Sequence, residues 1–334
     1  MEIDGTVIGR DSVYFIAEGG VNHNGDIDKA LELVEIAADG GADAVKFQTF
    51  RAEYTVTGDD ERFEKIKQLE LTEDEHRQLV ERCRERDITF LSTPTSHSAN
   101  VDLLMDIGTP AIKIGSGEIT NKPLLEHSAA QGVPMIVSTG MSTMDEIHAA
   151  HNVIRAVNPD IDVAFLHCVS CYPTTIDDLN LRKIDLLSEE LPGPIGFSDH
   201  STSVTVPGFA VARGARIIEK HVTIDKQLPG PDHETSLEPD ELETAVRNAR
   251  DAARAKGERI TAPIDCEREI IDRARRSLHL TRDVEAGERF SRDHVAVKRP
   301  NVGLSPMRID QLVGAEYTCA VASGEPLIED ALEL

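Results

Sequence analysis

Eight short runs rich in Val, Ile and Phe recur along the chain, with helical stretches between them. The runs are VYFIAEGG (13–20), AVKFQTF (44–50), TFLSTP (89–94), AIKIGSGE (111–118), MIVSTG (135–140), VAFLHCVS (163–170), PIGFSDH (194–200) and RIIEKHVT (216–223). Between them lie patterns such as DIDKALELVEIAADG, LTEDEHRQLVERCRERD and STMDEIHAAHNVIRAV, and EPDELETAVRNARDAARAKG follows the last run. These repeat their apolar residues at the three- and four-residue spacing of amphipathic helices. The runs are apolar on both faces, as parallel strands are when buried between an interior and a layer of helices. Eight strand–helix units in about 250 residues is the count of a (β/α)8 TIM barrel, an α/β fold. A doubly wound open sheet is the competing architecture. It would more naturally carry GxGxxG after its first strand, and AEGGVNHNG lacks that spacing.

The barrel is expected to occupy residues 1–262. Residues 263–275 read as a linker with some helix, and 276–334 as a small, turn-rich β-type domain. Lys and Arg total 35 against 60 Asp and Glu, a net charge of −25. That balance disfavours nucleic acid and anionic membranes as partners. With 40% apolar residues and clear periodicity the chain is not disordered. No apolar stretch approaches the roughly 18–20 residues that span a bilayer. MEIDGTVIGRDS lacks the features of a signal peptide, so a cytoplasmic protein is expected. Five cysteines in a long chain argue against a disulfide framework.

The spread of acidic residues, the absence of Trp and the few lysines point to a protein adapted to high salt. The melting temperature is then expected to rise as potassium chloride goes from tenths molar to above about 1 M, because screening relieves self-repulsion. A melting temperature that stays flat or falls over that range would reject the adaptation.

Active sites of such barrels are built at the C-terminal ends of the strands. Reading those ends in order gives Glu18; Lys46 and Gln48; Thr93; Lys113, Ser116 and Glu118; Ser138; Ser170 and Tyr172; Ser198 and His200; and His221. Strand ends are often polar, so each residue alone says little. Eight ends pointing polar groups at one rim say much more. Lys46 and Lys113 stand inside apolar runs, and a buried lysine needs a counter-charge, from an internal carboxylate or a bound anion. Together with the hydroxyls they suit a small ligand carrying phosphate and carboxylate. Lys113 is also open to a second reading, as a Schiff-base amine.

His200 and His221 end consecutive strands, which lie about 5 Å apart in a barrel. Both imidazoles can reach one divalent cation, leaving positions for water and substrate oxygen. Imidazole alone allows Zn, Fe or Mn. Cys168 and Cys171 form a CxxC, a spacing used in redox and zinc sites. It lies within and just past a strand rather than opening a helix, and no second pair follows.

AEGGVNHNG, VKFQT, FLSTP, KIGSGE, VSTGM, HCVSCYP, GFSDH, EKHVT, LPGPDH and VKRP occur in order across nearly the whole chain. This set closely resembles the sialic acid synthases, which include N-acetylneuraminate, legionaminate and pseudaminate synthases. The closing segment is similar to the SAF, or antifreeze-like, module. The resemblance implies condensation of phosphoenolpyruvate with an N-acetylated amino sugar, to a nine-carbon α-keto acid and phosphate. It implies that Lys46, Thr93, Lys113, Ser116, Ser138 and Ser198 hold phosphoenolpyruvate, and that His200 and His221 hold Mn2+ or Mg2+. Glu18, Gln48, Tyr172 and Asp232 would face the sugar, with Glu118 beside the reacting carbon. The family's dimers imply a homodimer with swapped SAF domains, in which Arg299 of VKRP reaches the partner's barrel. Ser170 stands where some neuraminate synthases have Asn. It is smaller and reaches less far toward the substrate.

Overall fold

The computed structural model describes residues 1–9 and 12–334. Its chain divides into two compact units, Met1–Gly257 and Glu258–Leu334. In the first, eight parallel strands close into a barrel: β1 (Tyr14–Gly20), β2 (Ala44–Thr49), β3 (Thr89–Pro94), β4 (Ile112–Ile114), β5 (Met135–Ser138), β6 (Val163–Cys168), β7 (Ile195–Asp199) and β8 (Ile217–His221). Each strand pairs with its neighbour in sequence, and β8 closes on β1 with His221 opposite Glu18. The expected (β/α)8 fold is the observed one.

The strands do alternate, but between two buried environments. Phe15, Val45, Phe90, Ile112, Val137, Phe165, Phe197 and Ile218 face outward into the core shared with the helices. Tyr14, Ile16, Ala44, Leu91, Ala111, Ile136, Ala164, Leu166 and Ile217 face inward and fill the barrel. Ile3 and Ile8, from the N-terminal hairpin and its exit, join that interior cluster. Inward positions further along the same strands are polar. Lys46 is two residues after Ala44, Thr93 two after Leu91, Lys113 two after Ala111 and Ser138 two after Ile136. With a side-chain period of two, an apolar tier therefore carries a polar tier directly above it. Gly196 is required in the lower tier, because a Cβ there would stand 2.5 Å from the Ile217 carbonyl.

Helices such as Glu73–Glu85 and Met144–Val157 begin with reciprocal caps, Thr72 with Glu75 and Thr143 with Glu146. Each cap satisfies backbone N–H groups that the first turn leaves free. The last barrel helix is Pro239–Lys256.

The second unit opens with the helix Asp265–Ala274, inside the segment expected to be a linker with some helix. Two small antiparallel pairs follow, Ser277–Leu280 with Val295–Lys298 and Glu316–Tyr317 with Leu332–Glu333. Leu278, Leu280, Phe290, Leu312, Tyr317 and Leu327 form its own core. No helix among the described residues is long and apolar enough to cross a membrane.

Candidate active site

The polar tier opens into a cavity of about 340 Å³, within the usual range of a small-molecule site. β1 supplies Glu18, β2 supplies Lys46 and Gln48, and β3 supplies Thr93. Lys113 comes from β4 and Ser116 from the turn after it, and Ser138 ends β5. Ser170 and Tyr172 follow β6, Ser198 lies on β7 and His200 follows it, and His221 ends β8. Asp232 reaches the cavity from the loop after β8. Thus thirteen of the fifteen residues read from the strand ends and motifs line one cavity.

Two do not. Glu118 is on the short helical turn Ser116–Glu118, yet its carboxylate accepts hydrogen bonds from the Ser96 N–H (3.0 Å) and the Asn121 amide (2.7 Å). It is tied to the loop after β3 rather than presented to the cavity. Arg299 belongs to the second unit.

The largest omission from the sequence reading is Glu219. It faces inward two residues before His221, and its carboxylate lies 3.4 Å from Lys113 Nζ and 3.8 Å from Lys46 Nζ. Ser198 Oγ donates to it at 3.2 Å. Lys46 is also paired with Glu18 and donates to Thr93 Oγ1 at 3.0 Å. The counter-charges that two buried lysines require are therefore Glu18 and Glu219. The spacing IIEKH held the signal, since 217, 219 and 221 share one strand face. Cys168 was also missed as a lining residue. It faces the cavity, while Cys171 is exposed.

Burial pushes the Glu18 carboxyl up to about 7, with Glu219 adding to the rise and Lys46 opposing it. Burial also works against charge on Glu219, but Lys113 and Lys46 outweigh it and hold that group at about 2. Lys113 is lowered, chiefly by burial. His221 is driven well below the usual imidazole range by burial, then by the nearby His200 and Lys46 charges, so its ring is neutral. Neutral imidazole is the metal-binding form.

The histidine rings meet edge to face with centroids 5.4 Å apart, and Tyr172 stacks on His200 at 4.1 Å. His200 Nδ1 bonds the Val169 carbonyl at 2.7 Å, which leaves Nε2 free to ligate. His221 Nδ1 and Ser138 Oγ are buried without a hydrogen-bond partner. Both atoms face the polar cavity with their hydrogen-bonding capacity uncommitted to other protein groups. Among the described residues no three His, Cys, Asp or Glu cluster as a metal cage. Two imidazoles, one with Nε2 free and one with Nδ1 uncommitted, are donors of the kind an open site completed by water and substrate oxygen uses. Gly140 lets the hydroxyls converge: its N–H donates to Ser116 Oγ at 3.0 Å, and a Cβ would sit 2.3 Å from Ser170 Oγ.

The closed parallel barrel carries buried lysines and two imidazoles at its C-terminal mouth, where enzymes of the (β/α)8 class build their active sites. Residues 33–261 match the NeuB family and residues 275–333 match the SAF domain. The chain belongs to the NeuB family. The N,N'-diacetyllegionaminic acid synthase of Legionella pneumophila is 39% identical, over 96% of this chain and 94% of its own length. The N-acetylneuraminate-9-phosphate synthase of Homo sapiens is 33% identical, over 97% and 94%. The crystal structure of N-acetylneuraminic acid synthetase from Leptospira borgpetersenii superposes with a TM-score of 0.75 at 38% identity, covering 79% of this chain and 91% of that one.

Proposed function

We propose that this enzyme condenses phosphoenolpyruvate with an N-acetylated amino sugar, N-acetylmannosamine or a 2,4-diacetamido hexose. The products are a nine-carbon α-keto acid and phosphate. The observation that carries the reading is the inner tier of the cavity, where Lys46 and Lys113 stand among Thr93, Ser116, Ser138 and Ser198. Two ammonium groups with converging hydroxyls suit a ligand bearing both phosphate and carboxylate. The names of the relatives supply the class of product.

In this mechanism the lysines and hydroxyls fix the enol phosphate so that its C3 faces the sugar aldehyde in one orientation. His200 and His221 would hold manganese or magnesium, which supplies Lewis-acid polarisation of the aldehyde oxygen when bound. Attack by C3 leaves cationic character at C2. Glu18 and Glu219 are the cavity carboxylates suited to stabilise it. Glu18, raised to about 7, is also matched to taking the proton of the water that adds at C2 and returning it to the alkoxide that attack leaves on the former aldehyde carbon. Glu118 supports the site through the Ser96 loop. Phosphate then leaves C2 with the proton of the added hydroxyl, and the keto group forms.

The test is phosphate release from phosphoenolpyruvate with a panel of 2-acetamido and 2,4-diacetamido hexoses in manganese buffer, with and without chelator. Release with at least one sugar, lost on chelation, is expected. The lowered Lys113 would also suit a Schiff-base aldolase. Silence across the panel, with borohydride trapping pyruvate on Lys113, would establish that reading instead.

The proposed assembly is a homodimer in which Arg299 of one subunit serves the partner's barrel, its planar guanidinium suited to a carboxylate or sugar hydroxyls. Arg299→Ala and Lys113→Met should each turn over poorly alone at a phosphoenolpyruvate concentration that serves wild type. After subunit exchange one site of the mixed dimer is wholly wild-type, and activity should return toward about a quarter of normal by statistical pairing. No recovery with exchange confirmed would refute action across the dimer.

A further inference from the structure

Asp199 and Lys220 stand one residue before His200 and His221. By strand alternation they point away from the cavity, through the barrel wall. They are opposite one another in the β7–β8 register, and both side chains are wholly buried. Lys220 Nζ donates to Asp199 Oδ2 at 2.7 Å and to the Ser201 carbonyl at 2.6 Å. Asp199 Oδ1 accepts the Ser201 N–H at 2.8 Å. One ammonium on the strand of His221 therefore grips the chain on both sides of His200.

The remaining supports of His200 come from the opposite side. Its ring bonds the Val169 carbonyl, and its own carbonyl accepts the Thr174 N–H at 2.9 Å. These fix His200 to the segment after β6, not to β8. Beside the β7–β8 ladder, two side-chain links join the histidine-bearing strand ends: the Ser198–Glu219 hydrogen bond on the cavity side and the charged Lys220–Asp199 bridge behind it. Stability does not explain such a bridge, because apolar replacement of a buried ion pair is often neutral or stabilising. A fixed geometry does.

We infer that Asp199 and Lys220 form a positioning clamp that sets the separation of the two imidazoles, and through it the affinity of the site for a divalent cation. This rests on the metal reading proposed above. The clamp touches neither substrate. It is expected to act on cation binding and kcat and to leave the Michaelis constant for phosphoenolpyruvate nearly unchanged.

The test is manganese binding, followed by the electron paramagnetic resonance of the free ion, with no substrate present. Asp199→Leu combined with Lys220→Met removes both charges together at similar volume, so neither is left unpaired. The double variant is expected to keep the wild-type circular dichroism and thermal transition. Its manganese Kd should rise at least about tenfold, the scale on which groups supporting metal ligands act. Its kcat should fall while the Michaelis constant for phosphoenolpyruvate stays within about twofold of wild type, unlike a variant of the anion site. Asp199→Asn combined with Lys220→Gln strands no charge and keeps a neutral hydrogen bond across the strands, and should fall between the two. It decides the matter if the first double variant does not fold. A folded Asp199→Leu/Lys220→Met variant binding manganese within twofold of wild type overturns the clamp, as does Asp199→Asn/Lys220→Gln doing so where the first is unfolded. If wild type itself binds no manganese, the metal assignment falls first and the clamp's purpose falls with it. Wild-type binding that His200→Ala abolishes shows the assignment intact, so that a failure then belongs to the clamp alone.

Discussion

His221→Ala, like His200→Ala, is expected to lose at least about a hundredfold in kcat while the barrel stays folded. Lewis-acid polarisation is worth several kcal/mol of transition-state stabilisation, and about 2.7 kcal/mol is already a hundredfold. In the proposed site two protein imidazoles would hold the cation, so either truncation would remove half of that protein ligation. The fold should tolerate the change. His221 is buried and neutral, so its loss removes no charge, and the ring's neighbours include His200, the half-exposed Tyr172 and the Asp232 carboxylate, 3.9 Å from Nδ1. Phosphate release measured beside far-UV circular dichroism separates lost chemistry from lost structure. Near-normal turnover by either variant in chelated, manganese-free buffer would sink the metal assignment.

Lys113→Met should raise the Michaelis constant for phosphoenolpyruvate far more than that for the sugar, and Lys46→Met should do the same. Truncating one partner of a buried charge pair typically costs about 2–5 kcal/mol, or roughly thirtyfold to several thousandfold in affinity. The two variants are not equivalent in stability. Removing Lys113 leaves Glu219 with Lys46 still 3.8 Å away. Removing Lys46 takes the partner from Glu18 and weakens the support of Glu219 at once. An uncompensated buried charge costs about 3–5 kcal/mol, so Lys46→Met should also melt earlier. Glu18 can escape part of that penalty by protonating, since burial already raises it to about 7. The melting deficit of Lys46→Met should therefore shrink as pH falls from 8 to 6. Initial rates over both substrates, with melts across that range, check both statements. Sugar affinity lost with phosphoenolpyruvate affinity intact would refute the anion site.

Much of this was legible in the residues because a barrel strand is short and its end is fixed by topology. Eight apolar runs gave eight strands, and their last inward positions gave the cavity wall. What escaped was depth. Glu219 was passed over because only the tip of RIIEKHVT was considered, although Glu219 and His221 share a face. Its role depends on Lys46 and Lys113, which arrive from strands far away in sequence. Glu118 is the opposite case, a residue named at the rim that folding ties elsewhere. Its position in KIGSGE is right for the rim, but Ser96 and Asn121, brought near by folding, claim its carboxylate. Six of the eight strands also end sooner than their apolar runs, β4 at Ile114 rather than 118, while β1 and β3 end with theirs. The residues beyond leave the ladder to turn over the cavity, and hydrophobicity does not mark that departure.

The apolar tier, with Ile3 and Ile8 beneath it, also has a consequence for traffic. Below the lysines apolar side chains fill the barrel, so the cavity opens at the strand ends. In the proposed reaction the enol phosphate would take the deep berth and the sugar the outer one, beside the histidines. The two would then have to enter in that order, and a spent phosphate would leave past whatever still occupies the threshold.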